Sequence, residues 1–489
     1  MANRPPIVTI LGHVDHGKTT LLDFIRKTSL VEKEHGGITQ KIGAYEIFTD
    51  FKGYNTNRIT FIDTPGHEAF SKLRSRGANV ADIAILVVDA KDSLKPQTVE
   101  SISHIKSANI PFIVAVNKID LPEANPEKVK NDLLKHSIVV EGKGGGIPLV
   151  LVSAKTGKGI DELLETILLL GSDLNLTYDP NASPKAVVIE TNKDRRGAVV
   201  SAVLKEGRLK VGDQIQAGDE VGKVRALIND RGSSLQAAEP STPFELMGFS
   251  QLPDIGSVIT LRSDFARTKS SLTTEKHQMA TNPKSIDLDT LLHPKLAEKK
   301  LALIIKADSH GSLEAINESL SQNKNVELIL SSIGDIHKSD IFLAKSTKAI
   351  LIGFSVPVSV EARLLAKQEK VIIKTYNIIY NLLDELTEVA DLLKEKQQQE
   401  KSLKGSAKIL ANFIIKSEKV FGVKVTKGKI NLGDGLEVYR GDNMFGKTKL
   451  VSLKIRAKIV SEVKKDQEAG MVFSPQLDIN IGDVVKCIL

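Results

Sequence analysis

IVTILGHVDHGKTTLLDFIRK, residues 7–27, decides the fold of the first third of the chain. A β-branched apolar run, IVTILG, leads into Gly12-His13-Val14-Asp15-His16-Gly17-Lys18-Thr19, and helical spacing begins at Lys18. Gly-x4-Gly-Lys-Thr between a strand and a helix is a phosphate loop. Its glycines let backbone N–H groups wrap an anion, and the helix N-terminus adds positive potential. Lys18 is placed to reach β- and γ-phosphates and Thr19 to ligate Mg²⁺, with Thr20 following in the same binding set.

Four more apolar runs follow: ITFIDT (59–64), IAILVVDA (83–90), FIVAVNKID (112–120) and LVLVSAKTG (149–157). Helical patterns alternate with them, which predicts a parallel sheet covered on both faces and binding chemistry at its carboxyl edge. The polar ends of these runs fit that expectation. Asp63-Thr64-Pro65-Gly66-His67 supplies an Asp for Mg²⁺ and a glycine N–H for a γ-phosphate. Thr39, in Gly36-Gly37-Ile38-Thr39, is the second hydroxyl expected for the metal, so the metal set reads Thr19, Thr39 and Asp63. Asn117-Lys118-Ile119-Asp120 offers a carboxylate to the two N–H donors that guanine has and adenine lacks. Ser153-Ala154-Lys155 adds a backbone donor for the guanine oxygen. Together these motifs predict a GTP/GDP site. His67 stands where a switch protein needs a polar group to orient attacking water, and Val14 with Ile38 is expected to form an apolar gate beside it. His13 and His16, inside the phosphate loop, are expected to be solvent-facing or structural rather than metal ligands.

Beyond Tyr178-Asp179-Pro180 the texture changes to strands broken by Gly-Asp turns. AVVSAVLKEGRLKVGDQI (198–215) and FGVKVTKGKINLGDGLEV (421–438) share Gly-x4-Gly-Asp, and each is followed by a closing strand, at 254–261 and 480–489. This predicts two copies of one small β-barrel. Between them a strand–loop–helix pattern at 301–316 and a buried run at 348–356 imply a second, smaller α/β unit. The expected division is a GTPase domain (1–178), a β-barrel (179–263), a linker (264–298), an α/β/α domain (299–380), a long connecting helix (381–403) and a C-terminal barrel (404–489).

Composition narrows the setting. Of 489 residues, 67 are Lys or Arg against 60 acids, giving +7, a mild surplus compatible with RNA partners. One cysteine, Cys487, rules out an internal disulfide or a cysteine-based metal cluster. No run is long and apolar enough for a membrane helix, and the N-terminus leaves no room for a signal peptide. A cytoplasmic monomer is the expectation.

GHVDHGKTTLLD, GGITQKIGAYE, DTPGHEAF, SRGANVADIAILVVDA, KPQTVESI and VAVNKIDLPEANPEKVKNDL resemble the GTPase domain of bacterial-type translation initiation factor 2. KADSHGSLEAI, AILIGFSV and YNIIYNLLDE resemble its middle regions, and the similarity covers nearly the whole chain. The resemblance implies ribosomal subunits and formylmethionyl initiator tRNA as partners. It further implies GTP-dependent placement and protection of that tRNA on the small subunit, with hydrolysis on subunit joining. It assigns Gly422, Arg456, Glu468 and Gly470 to an initiator-tRNA pocket in the terminal barrel. Two departures stand out. Many members carry a long N-terminal extension, so a minimal form or a truncation is expected here. The terminal barrel has Val423, and Ala469 in Glu468-Ala469-Gly470, where the family has cysteines, and Ile455 beside Arg456 where it has an arginine. A related GTPase serving another tRNA or ribosome state is therefore the alternative. A ribosome-binding module that does not hydrolyse is a third reading, against which His67 argues.

Overall fold

In the computed structural model the described residues are 1–28, 39, 42–66, 68–194, 196–262, 300–415, 418–441, 443–456 and 458–488. The expected linker at 264–298 lies outside them, as do Ile38 and His67.

IVTILG forms β1 (Ile7–Gly12), with all six residues buried, as befits a strand covered on both faces. β2 (Gly43–Phe48) lies antiparallel to β3 (Arg58–Asp63), whereas β1, β3, β4 (Ile83–Asp89), β5 (Phe112–Asn117) and β6 (Leu149–Leu151) run parallel. The six-stranded order is β2-β3-β1-β4-β5-β6. Alternate residues of β4 feed opposite faces. Ile83, Ile85 and Val87 join Leu21, Phe61 and Ile167 in one core, while Ala84, Leu86 and Val88 join Ile102, Val114 and Leu133 in the other. Among the described residues, five helices cover the sheet: α1 (Lys18–Arg26), α2 (Ser71–Val80), α3 (Pro96–Ala108), α4 (Pro126–Lys135) and α5 (Ile160–Asp173). The start of α4 is set by Pro126 at its first position and by Asn125, whose side chain accepts from the Lys128 N–H.

The first barrel is built from β7 (Lys185–Asp194), β8 (Gly197–Glu206), β9 (Gln214–Ala217), β10 (Glu220–Asn229), β11 (Pro243–Phe249) and β12 (Val258–Leu261). Its strands follow the cyclic order β9-β12-β7-β8-β11-β10, closed by a β9–β10 pairing. Next comes a small α/β unit whose parallel sheet runs β14-β13-β15-β16, from β13 (Leu301–Ala307), β14 (Val326–Ile333), β15 (Ile350–Phe354) and β16 (Ile373–Tyr376). Its helices are α6 (His310–Ser321), α7 (Lys338–Thr347) and α8 (Val360–Glu369). A single helix, α9 (Ile379–Ser402), follows, starting two residues earlier than its expected first residue. The last module contains β17 (Leu403–Ile415), β18 (Glu418–Asn431), β19 (Gly435–Arg440), β20 (Asn443–Ile455), β21 (Glu468–Ser474) and β22 (Val484–Ile488). Its cyclic order, β19-β22-β17-β18-β21-β20, repeats that of the first barrel strand for strand.

The shared Gly-x4-Gly-Asp explains how one chain pattern gives one topology twice. Gly207 and Gly428 both have positive φ, and a Cβ on either would meet a backbone carbonyl, Ala182 O at 2.5 Å or Lys404 O at 2.2 Å. Asp213 then accepts from the Lys210 N–H and Asp434 from the Asn431 N–H, both at 2.7–2.8 Å, closing the same turn.

Of the described residues, those at 1–262 and 301–386 form one compact unit, and residue 300 with those at 387–488 another. Within the first, polar ties join modules that are distant in sequence. Asp82, beside β4, binds Arg4, Lys205 of the barrel and the Ile7 N–H. Burial works against its charge, yet these partners hold the carboxyl below the usual range. Ser241 of the barrel donates to Pro5 O at 2.6 Å and accepts Thr60 Oγ1 through its own carbonyl at 2.6 Å. Glu190 of β7 accepts the Gly311 N–H at the start of α6 at 3.1 Å. Among the described residues, no helix is long and apolar enough to cross a membrane.

Replacing Gly428 by Ala should destabilise the C-terminal barrel by about 2 kcal/mol or more, because a strained φ adds to a backbone clash. Gly433→Ala, where φ is positive but the added Cβ meets nothing, should cost about 1 kcal/mol. Urea unfolding of both variants checks the difference; equal midpoints would contradict the assigned turn.

Candidate functional site

The carboxyl edge of the six-stranded sheet gathers most of the predicted motif residues. β1 delivers Gly12 with φ 144°, and a Cβ there would sit 2.4 Å from Val87 O. A 3₁₀ turn (Val14–His16) leads to Gly17, with φ 83°, where a Cβ would lie 2.5 Å from Asn117 Nδ2. Only glycine fits either place. The loop is tied to the sheet and to α3: His16 Nδ1 lies 3.2 Å from Val87 O, and the Val14 N–H donates to Gln97 Oε1 at 3.2 Å. His16 is buried and structural; desolvation pulls its pKa down to about 4, so it is neutral at pH 7. Asp15 and Thr20 are exposed beside the loop and His13 is half-buried.

Lys18 opens α1 and folds back over the loop, donating to Gly12 O at 2.9 Å and His13 O at 2.7 Å. It is only 4% exposed, and desolvation lowers its pKa to about 8 although the nearby Asp63 carboxylate opposes the shift. A desolvated ammonium of this kind is favoured by an anion with which it can pair. Thr19 Oγ1 lies 2.8 Å from Thr39 Oγ1, and the Asp63 carboxylate ends β3 nearby in the sheet. Two hydroxyls and a carboxylate are hard oxygen donors of the kind Mg²⁺ takes alongside phosphate oxygens. Thr64 Oγ1 donates to Ile10 O at 2.8 Å, and a Cβ on Gly66 would fall 2.5 Å from Lys18 Nζ. The loop after β3 is thus held directly over the phosphate loop.

At the other end Asn117, 1% exposed, donates from Nδ2 to His16 O at 2.9 Å and accepts the Ala154 N–H at 3.0 Å. Ser153 Oγ donates to Asp120 Oδ1 at 2.7 Å; that bond first, then backbone N–H donation and the charges of Lys155 and Lys118, holds this exposed carboxyl below its ordinary range. Lys118 pairs with Asp89 at 2.7 Å. Burial opposes ionisation of Asp89, but Lys118 and the N–H groups of Lys91 and Asp92 outweigh it. Asp120 is therefore an ionised, oriented acceptor for adjacent N–H donors. Asp89, Gln97, Arg74 and Glu100 were not singled out by sequence; Asp89 alone gave a sign, as the polar end of a buried run.

In the C-terminal barrel Gly422 pairs directly with Gly470 across β18 and β21, and the row continues to Ala411 and Lys454 on the flanking strands. Glu468 pairs with Lys424 two residues along. Arg456 is exposed in the left-handed turn after β20. Val423 and Ala469 pair with each other and lie in the barrel core, so both departures from the family's cysteines face inward.

Comparison with known proteins places the chain in a family. Residues 3–171 match the Elongation factor Tu GTP binding domain, 183–261 match Elongation factor G domain 2, and 276–387 match Translation-initiation factor 2. Translation initiation factor IF-2 of Caulobacter sp. (strain K31) is 44% identical over 99% of this chain and 47% of its own length. The factor of the same name from Petrotoga mobilis is 41% identical over 99% of this chain and 71% of its own. Among solved structures, GDP-bound aIF5B from Aeropyrum pernix is 29% identical, with 99% of this chain and 92% of that one covered and a TM-score of 0.49. The fold and site define a guanine-nucleotide-binding protein of the translational GTPase class. The chain belongs to the translation initiation factor IF-2 family. It spans 47% to 59% of the length of the first three such relatives.

The lowered pKa of Lys18 gives a pH signature. Below about pH 8 the free site carries the charged ammonium that a diphosphate needs; above it, binding must first take up a proton. GDP affinity should fall by no more than about twofold from pH 7 to 8 and then by up to about tenfold per pH unit above that. Fluorescent GDP titrations check this, with Lys18→Ala expected to bind weakly and without that slope. A wild-type curve as flat as the variant's would contradict the assignment.

Proposed function

We propose that the chain is a ribosome-activated GTPase of translation initiation that promotes binding of formylmethionyl initiator tRNA to the small subunit and protects it there. Hydrolysis to GDP and phosphate then accompanies formation of the full ribosome. The observation that carries this reading is the double tie of Asn117, which joins the phosphate loop to the Ser153-Ala154-Lys155 loop in one rigid frame.

In this reading the backbone N–H groups of Gly12, His13, Val14, Asp15, His16 and Gly17 wrap the β-phosphate, and Lys18 bridges β and γ groups. Thr19, Thr39 and Asp63 would hold Mg²⁺, which neutralises charge on the phosphate oxygens when bound. Asp120 accepts from the guanine N1 and N2 groups, Ala154 donates to its oxygen, and the Lys118 and Lys155 stems flank the ring. An adenine would leave the Asp120 carboxylate without those donors, which is the basis of rejection. Thr64, Pro65 and Gly66 bring the γ-phosphate loop over Lys18, and His67 orients the attacking water. The Gly422–Gly470 floor, with Glu468 and Arg456 at its margins, is the surface for the aminoacyl end of the tRNA. The inward-facing Val423 and Ala469 support this, since they change the core beneath the floor rather than the floor itself.

Phosphate release with both ribosomal subunits, GTP and formylmethionyl-tRNA tests the reading. Multiple turnover is expected for the wild type, with His67→Ala reduced by about 10²-fold or more and GDP affinity retained. Filter binding should retain formylated over unformylated Met-tRNA, and equal retention would favour a factor for another tRNA or ribosome state. A His67→Ala rate equal to wild type would sink the catalytic assignment.

A further inference from the structure

Arg74 is the largest side chain in the protein with no exposure among the described residues. It lies on α2, where an apolar residue would pack the helix onto the sheet without desolvating a charge. A buried ion pair is a weak route to stability, so its directional bonds are the more informative feature.

Those bonds converge on one loop. Arg74 Nη1 donates to Pro65 O at 3.1 Å. Nη2 donates to both carboxylate oxygens of Glu100 on α3, each at 2.8 Å, and makes a long contact of 3.5 Å to Glu68 O. Glu100 is braced in turn by His104, whose Nε2 lies 3.2 Å from Oε1 and 3.3 Å from Ser71 Oγ. The guanidinium therefore grips carbonyls on both sides of position 67 and anchors them to a second helix. From the opposite side the loop is fixed by the Thr64 hydroxyl on Ile10 O and by the close approach of Gly66 to Lys18.

We infer that Arg74, held by Glu100, is a positioning residue for GTP hydrolysis, fixing the Pro65 and Glu68 carbonyls that flank the proposed catalytic position. Lysine in its place keeps the charge but loses the planar fork that serves Pro65 and Glu100 together. This inference rests on the GTPase reading, and the experiment separates the two.

Single-turnover hydrolysis by the full chain is measured with ribosomal subunits at varied ribosome concentration, alongside GDP affinity. Arg74→Lys should lower the maximal rate by about 10²-fold, the scale expected when a reacting group is misplaced by an ångström. The ribosome concentration for half-maximal rate and the GDP affinity should change by less than about twofold. Glu100→Gln, at the more accessible end of the pair, should lower the rate in the same way, and the double variant should be little worse than Arg74→Lys alone. A wild type without ribosome-stimulated hydrolysis would remove the GTPase reading itself. A hydrolysing wild type matched in rate by both variants would overturn the positioning role alone. So would parallel losses of GDP affinity and rate, which indicate a merely structural pair. Should Arg74→Lys fail to fold, Glu100→Gln carries the test.

Discussion

The molecule's chemistry hangs on one buried amide. Asn117 spans 101 residues of sequence to donate to His16 O, and 37 residues in the other direction to accept the Ala154 N–H. Both bonds are buried, so neither partner has water as a substitute, and losing one leaves an unsatisfied group at a cost of about 1–3 kcal/mol. The same side chain explains Gly17, since any Cβ there would collide with Asn117 Nδ2. It also ties the Gly12–Thr19 loop to the Ser153–Lys155 loop through the end of one strand, β5, the two loops that the proposed reading gives to phosphate and base.

Around this frame, several buried charges are held by opposite charges and backbone donors. Asp82 sits among Arg4, Lys205 and the Ile7 N–H, and Lys118 rests on Asp89. Glu190 is the contrasting case. Burial pushes its carboxyl pKa up, and its hydrogen bonds among the described residues come from the N–H groups of Thr191 and Gly311. Gly311 has no room for a Cβ, which would strike Glu190 Oε2 at 2.5 Å and Leu73 of α2 at 2.9 Å. The first barrel, the small α/β unit and the helix after the Asp63–Gly66 loop therefore meet at one glycine.

The strands, the Gly12–Thr19 loop and the Asn117–Asp120 segment could be located because each is local: a continuous apolar run ending in polar residues, at a spacing read directly from the chain. The repeated barrel was legible through Gly207–Asp213 and Gly428–Asp434, since positive-φ glycine and an Asp-closed turn leave a fixed signature. Arg74 with Glu100, Asp82 with Lys205 and Ser241 with Pro5 were not. Their partners are separated by 26, 123 and 236 positions, and no periodicity marks a polar residue whose partner is set by tertiary packing. His16 shows the same limit at shorter range: its loop was evident, but its burial against Val87 depended on the neighbouring strand. The inward direction of Val423 and Ala469 likewise required the register of β18 and β21.

The most direct test of the account is the GDP affinity of Asn117→Ala, measured by equilibrium titration beside its thermal unfolding. The frame described here predicts affinity lower by about 10²-fold or more, because two buried groups lose their partner and the two loops lose their common anchor. It also predicts that the remaining sheet still unfolds cooperatively. Wild-type affinity in a folded Asn117→Ala protein would contradict the claim that this amide sets the site.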